Sequence, residues 1–139
     1  LRVSDRALAE RAFRLLAQFG AAIYLQPFLP HFGYDLRALV IGDRLLAMRR
    51  ANASDWRTNV SRGATTERVE LGPELAQMAW TAAQVVGAPL AGVDLLPARD
   101  GHVYVLEVNA VPGWKALART LELDVARLVL DYVSGLGHG

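Results

Sequence analysis

Two apolar, β-branched runs meet at Asp100-Gly101, and this junction limits the possible folds of the chain more than any other feature. Asp-Gly between such runs is the strongest short-range signal for a two-residue hairpin turn. One arm runs from Gly92 through Val93, Asp94, Leu95 and Leu96 to Arg99; the other runs from His102 through Val103, Tyr104, Val105 and Leu106 to Asn109. With Asp100-Gly101 as the turn, Arg99 pairs with His102 and Asp94 falls directly opposite Glu107. Asn109, two residues beyond Glu107, points to the same face. Directly opposed like charges destabilise a sheet by about 0.2–1 kcal/mol when exposed. A solvent-exposed pair without a ligand is the plain alternative. Two carboxylates held this close, with an amide oxygen beside them, make better sense around a hard cation. Such oxygens suit Mg²⁺ or Mn²⁺ and not a soft metal.

The rest of the composition fits one modest folded domain. The chain has 139 residues, 53% of them apolar and 21% charged. That is long enough for a real core and too apolar for disorder. With a net charge of +1 and interspersed signs, no basic field points to nucleic acid or an anionic membrane, and neither is expected as a partner. Cysteine is absent, which removes disulfides and thiolate metal sites and fits a reducing, cytoplasmic setting. The uncharged run from Leu15 to Tyr34 is interrupted by Gln18, Gly20, Gln26, Pro27, Pro30 and His31, which makes it a poor membrane span.

In chain order, Ser4 is the expected cap of a helix from Asp5 to Gln18, stopped by Gly20, with Leu8, Ala12, Leu15, Leu16 and Phe19 as its apolar face. Ala22 to Phe28 reads as a buried strand. Asp35–Ile41 and Arg44–Arg50 form a hairpin about Gly42-Asp43. Its register sets Asp35 opposite Arg50 and Arg37 opposite Met48, with Asp35, Arg37 and Arg50 on one face. Residues 51 to 70 read as a charged, amide-rich loop leading into a short strand near Arg68 to Leu71. Pro73 opens a second helix, striped by Leu75, Met78, Ala79, Ala82 and Val86 and ended by Gly87. A last helix runs from Val125 to Val133, capped by Asp124. The fold class is therefore α+β, a largely antiparallel sheet packed with helices.

Five segments together resemble the C-terminal half of an ATP-grasp carboxylate–amine ligase, nearest to the RimK-like α-L-glutamate ligases. They are Gly33-Tyr34-Asp35-Leu36-Arg37, Arg49-Arg50, Trp56 to Gly63, Ala91-Gly92-Val93-Asp94-Leu95, and Leu106 to Gly113. The resemblance implies ATP held with two Mg²⁺ ions, or Mn²⁺, and phosphoryl transfer to a carboxylate. The resulting acylphosphate would then be attacked by the amine of an amino acid, glutamate being one candidate. Carried over position by position, Asp94, Glu107 and Asn109 match the metal ligands. Pro27 and Phe28 match the linker strand at the adenine, and Asp35, Arg57, Thr58 and Asn59 match nucleotide contacts. Arg37, Arg49 and Arg50 would face phosphate or substrate carboxylate. The implied partners are an amino acid and a carboxylate acceptor on a protein or small molecule.

The resemblance also implies boundaries. Residues 1–29 correspond to the end of the central ATP-grasp subdomain with its linker strand, and 30–139 to the C-terminal subdomain. The family's preceding domain, its nucleotide-binding lysine and its glycine-rich loop have no counterpart here, since the single lysine is Lys115. The expected chain is thus incomplete at its N-terminus and doubtful as a catalyst alone. A non-catalytic metal-nucleotide module needing its missing half is the alternative. Apolar surface at Leu8, Leu15 and Ile23–Phe28 would invite association into a homo-oligomer.

Overall fold

The computed structural model describes residues 2–136. It contains two compact units, Leu1–Pro30 and His31–Gly139.

In the first unit, helix α1 spans Arg6–Gln18. Its cap is Asp5 and not Ser4: the Asp5 carboxylate accepts a hydrogen bond from the Leu8 amide at 2.8 Å. A carboxylate satisfies an open amide of the first turn and also suits the positive end of the helix. Gly20, at φ +63°, follows the helix end. The expected strand over Ala22–Phe28 is not formed, and Ile23, Tyr24, Leu25 and Phe28 are exposed. A strand requires a neighbour to complete its ladder, and Pro27 and Pro30 offer no N–H to one. Phe19, expected in a core, is also exposed.

The second unit is built on a five-stranded antiparallel sheet. Its strands are β1 (Tyr34–Ile41), β2 (Arg44–Ala51), β3 (Thr65–Arg68), β4 (Leu90–Pro97) and β5 (Val103–Asn109), in the order β3-β2-β1-β4-β5. The first hairpin has the register its alternation predicts, with Asp35 facing Arg50 and Arg37 facing Met48. β3 lies three residues earlier than expected. There Glu67 pairs with Arg49 across the strands and meets its guanidinium at 2.8 Å.

Helix α2 (Pro73–Val85) covers one face. Leu36, Ala38, Val40, Ala91, Val93 and Leu95 pack there against Ala79 and Ala83. The fully buried positions of α2 are the alanines Ala76, Ala79 and Ala83, while Leu75, Met78 and Ala82 are half-buried at the margin. Small side chains let the helix approach the sheet closely. Val86, expected in the stripe, is the exposed C-cap. The other face carries Leu39, Ile41 and Met48 beneath Leu117, Leu121, Val125 and Val129. These come from α3 (Lys115–Leu121) and α4 (Val125–Leu136). Asp124 caps α4 by accepting from the Arg127 amide at 3.0 Å. The arrangement is a sheet between helical layers. No helix among the described residues is long and apolar enough to cross a membrane.

Candidate functional site

Along β1 one face changes character. Leu39 and Ile41 lie under α3 and α4, whereas Arg37 and Asp35, further toward the start of the strand, carry charge. Register brings their partners to them. Arg37 is paired with Asp94 on β4, and Asp94 with Glu107 on β5. Arg50 reaches Asp35 through two hydrogen bonds, Nε to Oδ1 at 2.8 Å and Nη2 to Oδ2 at 2.6 Å. The same Nη2 lies 3.0 Å from Asp94 Oδ2, and Arg37 Nη1 donates to Asp94 Oδ1 at 2.6 Å. Asp35, Arg50, Asp94 and Arg37 therefore form one continuous row of alternating charge, and all four are buried.

This row is balanced in charge, and each member is hydrogen-bonded to an opposite charge, the condition under which buried ions are tolerated. For Arg50 the largest influence is burial, which favours the neutral form. It is outweighed by the hydrogen bond to Asp35 and the fields of Asp94 and Asp35, so the guanidinium is held more firmly protonated than usual. Both oxygens of Asp94 are already engaged by guanidinium groups, which fix the carboxylate in place.

Glu107 differs from this row. It is exposed and forms no ion pair among the described residues. Asn109 is half-buried, and its Oδ1 accepts from the Val111 amide at 2.9 Å. That bond turns the chain after β5 and precedes the buried Pro112. Asp94, Glu107 and Asn109 thus occupy one face at the end of the β4–β5 hairpin.

The hairpin reaches this register by a different route from the one expected. Its loop is one residue longer: Ala98 pairs with His102, and Arg99, Asp100 and Gly101 form the turn, with Gly101 at φ +87°. A bulge then follows, because Leu95 faces Val105 while Asp94 faces Glu107, leaving Leu106 unpaired. The extra loop residue and the bulge cancel, so the carboxylates face each other as a plain two-residue hairpin would have set them.

The remaining predicted residues are elsewhere. Arg49 lies on the opposite face of the sheet from Arg37 and Arg50, over the Tyr34 ring and paired with Glu67. Pro27 and Phe28 belong to the first unit, where Arg2 stacks on the Phe28 ring. Arg57 is held by Asp55, with Nη2 2.9 Å from Oδ2, and lies beside the Trp56 ring. Hydrogen bonding from Arg57 keeps the Asp55 carboxyl below its ordinary pKa. Thr58 is buried and Asn59 exposed. Sequence reasoning missed Asn52, the buried hub of this loop. Its Nδ2 donates to the Arg57 and Arg62 carbonyls, and its Oδ1 accepts from the Ser54 and Asp55 amides. The available signal was Asn followed by Ser and Asp just past a strand, an Asx-turn composition.

The family model for the RimK-like ATP-grasp domain matches residues 8–133. The chain belongs to the RimK-like ATP-grasp family. It is 40% identical over 130 residues to a probable alpha-L-glutamate ligase of Rhodopirellula baltica, covering 91% of this chain and 32% of that protein. It is 38% identical over 112 residues to the tetrahydromethanopterin:alpha-L-glutamate ligase of Methanococcus maripaludis, covering 78% of this chain and 38% of that protein. Among solved structures it resembles the ATP-grasp ligase PsnB, complexed with a phosphomimetic variant of its minimal precursor, Mg and ADP. The TM-score is 0.62 at 18% identity, over 91% of this chain and 50% of that one. The chain thus spans about a third of the length of these curated relatives, and its fold is that of the ATP-grasp C-terminal subdomain.

In this RimK-like chain the donor set fits a hard cation by its chemistry. It offers two carboxylates and an amide oxygen, with no sulfur and no imidazole. Among the described residues no group of three or more His, Cys, Asp or Glu side chains is placed to hold a metal ion, and only two of these three donors are carboxylates. Each engaged oxygen of Asp94 and Asn109 retains a second lone pair.

Proposed function

We propose that this chain supplies the metal- and nucleotide-holding C-terminal part of an ATP-dependent ligase. In this reading residues 1–29 are the end of the central subdomain with its linker strand, and 30–139 the C-terminal subdomain. The reaction joins an amino acid, glutamate being the first candidate from the relatives' names, to a carboxylate of a protein or small-molecule acceptor. ATP phosphorylates that carboxylate, the amine attacks the acylphosphate, and inorganic phosphate leaves as the amide bond forms.

The observation that carries this reading is the common face of Asp94, Glu107 and Asn109, backed by the buried row of Arg37, Arg50 and Asp35. Asp94, Glu107 and Asn109 would hold two Mg²⁺ or Mn²⁺ ions, which supply charge neutralisation at the phosphates. Phosphoryl transfer asks the protein for positioning and charge compensation more than for covalent help. Arg37 and Arg50 fix Asp94 and offer their remaining N–H groups to phosphate or carboxylate oxygen. Asp35 orients Arg50. Arg57, Thr58 and Asn59 would contact the nucleotide from a loop that Asn52 holds in shape, and Pro27 and Phe28 would meet the adenine. Arg49, on the far face, is better read as a brace for β3 than as a substrate contact.

The test is ligand-linked stability. Mg²⁺ with a non-hydrolysable ATP analogue should raise the melting temperature, since a ligand at one hundred times its Kd stabilises by about 2.7 kcal/mol. Glu107→Gln should remove that rise. No rise at millimolar ligand in the unaltered chain contradicts the proposal. Release of ADP with glutamate and a carboxylate acceptor both present would distinguish a working ligase from a module that only binds the metal nucleotide.

A further inference from the structure

Gly92 has none of the left-handed backbone geometry that usually explains a glycine. The space its side chain would occupy is nevertheless filled. A Cβ built there would lie 2.6 Å from Arg37 Nη2, 2.7 Å from Arg37 Cζ and 3.0 Å from Pro112 Cβ. The Arg37 guanidinium therefore rests against the bare Cα of Gly92, in a space that Pro112 also walls. Register accounts for the approach: Arg37 faces Asp94, and Gly92 is the next residue of β4 on the same face, opposite Asn109. From this seat Arg37 Nη1 donates to Asp94 Oδ1.

We propose that Gly92 is a positioning residue: its missing side chain makes the room that seats Arg37 on Asp94 and so aims that carboxylate toward Glu107 and Asn109. That the aimed carboxylate serves a divalent cation rests on the function proposed above; the seating of Arg37 does not. A methyl group at position 92 would overlap the far end of the flexible Arg37 side chain and press on Pro112, which need give only by a few tenths of an ångström, so Arg37 makes the larger move. The displaced guanidinium loses Asp94 Oδ1. The exposed carboxylate of Glu107, beside Asp94, then attracts it, and there it competes with a metal ion.

The test compares Gly92→Ala, Arg37→Lys and the double variant of the full chain by NMR. It follows the Arg37 guanidinium N–H signals and the broadening by Mn²⁺ of amides near Asp94 and Glu107. In the unaltered chain the Arg37 signals should be resolved and slow to exchange. Gly92→Ala should abolish them and raise the Mn²⁺ needed for broadening about tenfold, the scale of losing a group that orients a ligand. In the Arg37→Lys background the same change should alter the Mn²⁺ requirement less than about twofold, because no guanidinium remains to be displaced. Equal losses in both backgrounds would overturn the proposal, as would resolved Arg37 signals and an unchanged Mn²⁺ response in Gly92→Ala. If Gly92→Ala unfolds, a folded double variant upholds the proposal and an unfolded one overturns it. If Mn²⁺ leaves the unaltered chain unaffected, the metal reading fails, and the Arg37 signals alone decide the seat.

Discussion

At the scale of single residues, Asp94 and Glu107 face each other but have different physical duties. Asp94 anchors two buried guanidinium groups, whereas Glu107 is exposed and forms no ion pair among the described residues. Glu107→Gln is expected to leave stability within about 0.5 kcal/mol, as exposed substitutions usually do, while removing the Mg-nucleotide response. Asp94→Asn is expected to remove the same response and also destabilise the fold by about 3 kcal/mol, because it leaves buried positive charge under-compensated. Urea denaturation of the two variants checks this split; equal stabilities would contradict the buried row. A simple reading of two facing carboxylates treats the substitutions as equivalent. The difference comes from Arg50 reaching past its own partner to Asp94, a contact across three strands that no local pattern announces.

At the scale of elements, turns decide where side chains arrive. Tyr104 donates to Asp100 Oδ2 at 2.7 Å, which holds the Asp100 carboxyl below its ordinary pKa and pushes the Tyr104 hydroxyl up. The Asp100 contribution to stability is therefore full above the ordinary carboxylate range and lost as pH falls through the lowered value. The Tyr104 contribution is full below the ordinary tyrosine range and lost as pH rises through the raised one. Tyr104→Phe should return the Asp100 titration upward, as followed by carboxyl NMR shifts; an unmoved titration would contradict the contact. At the other hairpin, Gly42 sits at φ +60° with the Tyr132 ring of α4 where its Cβ would be. Gly42→Ala should cost at least about 1–2 kcal/mol from the left-handed backbone alone, and less in a Tyr132→Ala background than beside the intact ring. Thermal melts of the single and double variants measure it. The β1–β2 register and the carboxylate pair were legible because alternation and turn residues are local signals. The Leu106 bulge and the longer loop were not, since their effects cancel in the pairing. Helix α3 was also missed: with seven residues after Pro112-Gly113, it shows only Leu117 and Leu121 as a periodic pair.

At the scale of the molecule, the sheet serves two functions on its two faces. Alanines let α2 lie close on one face, while the other is apolar beneath α3 and α4 and charged beyond them. The antiparallel α+β class followed from element order alone. The strand expected at Ala22–Phe28 did not form, because pairing depends on a partner and composition supplies none. Asp94, Glu107 and Asn109 are expected to share bound divalent cation, and the proposed ligase chemistry depends on it. A crystal structure with Mg²⁺ and a non-hydrolysable ATP analogue tests it most directly. Metal density is expected at about 2.0–2.1 Å from oxygens of Asp94, Glu107 and Asn109. Bound nucleotide whose metal touches none of the three would contradict it.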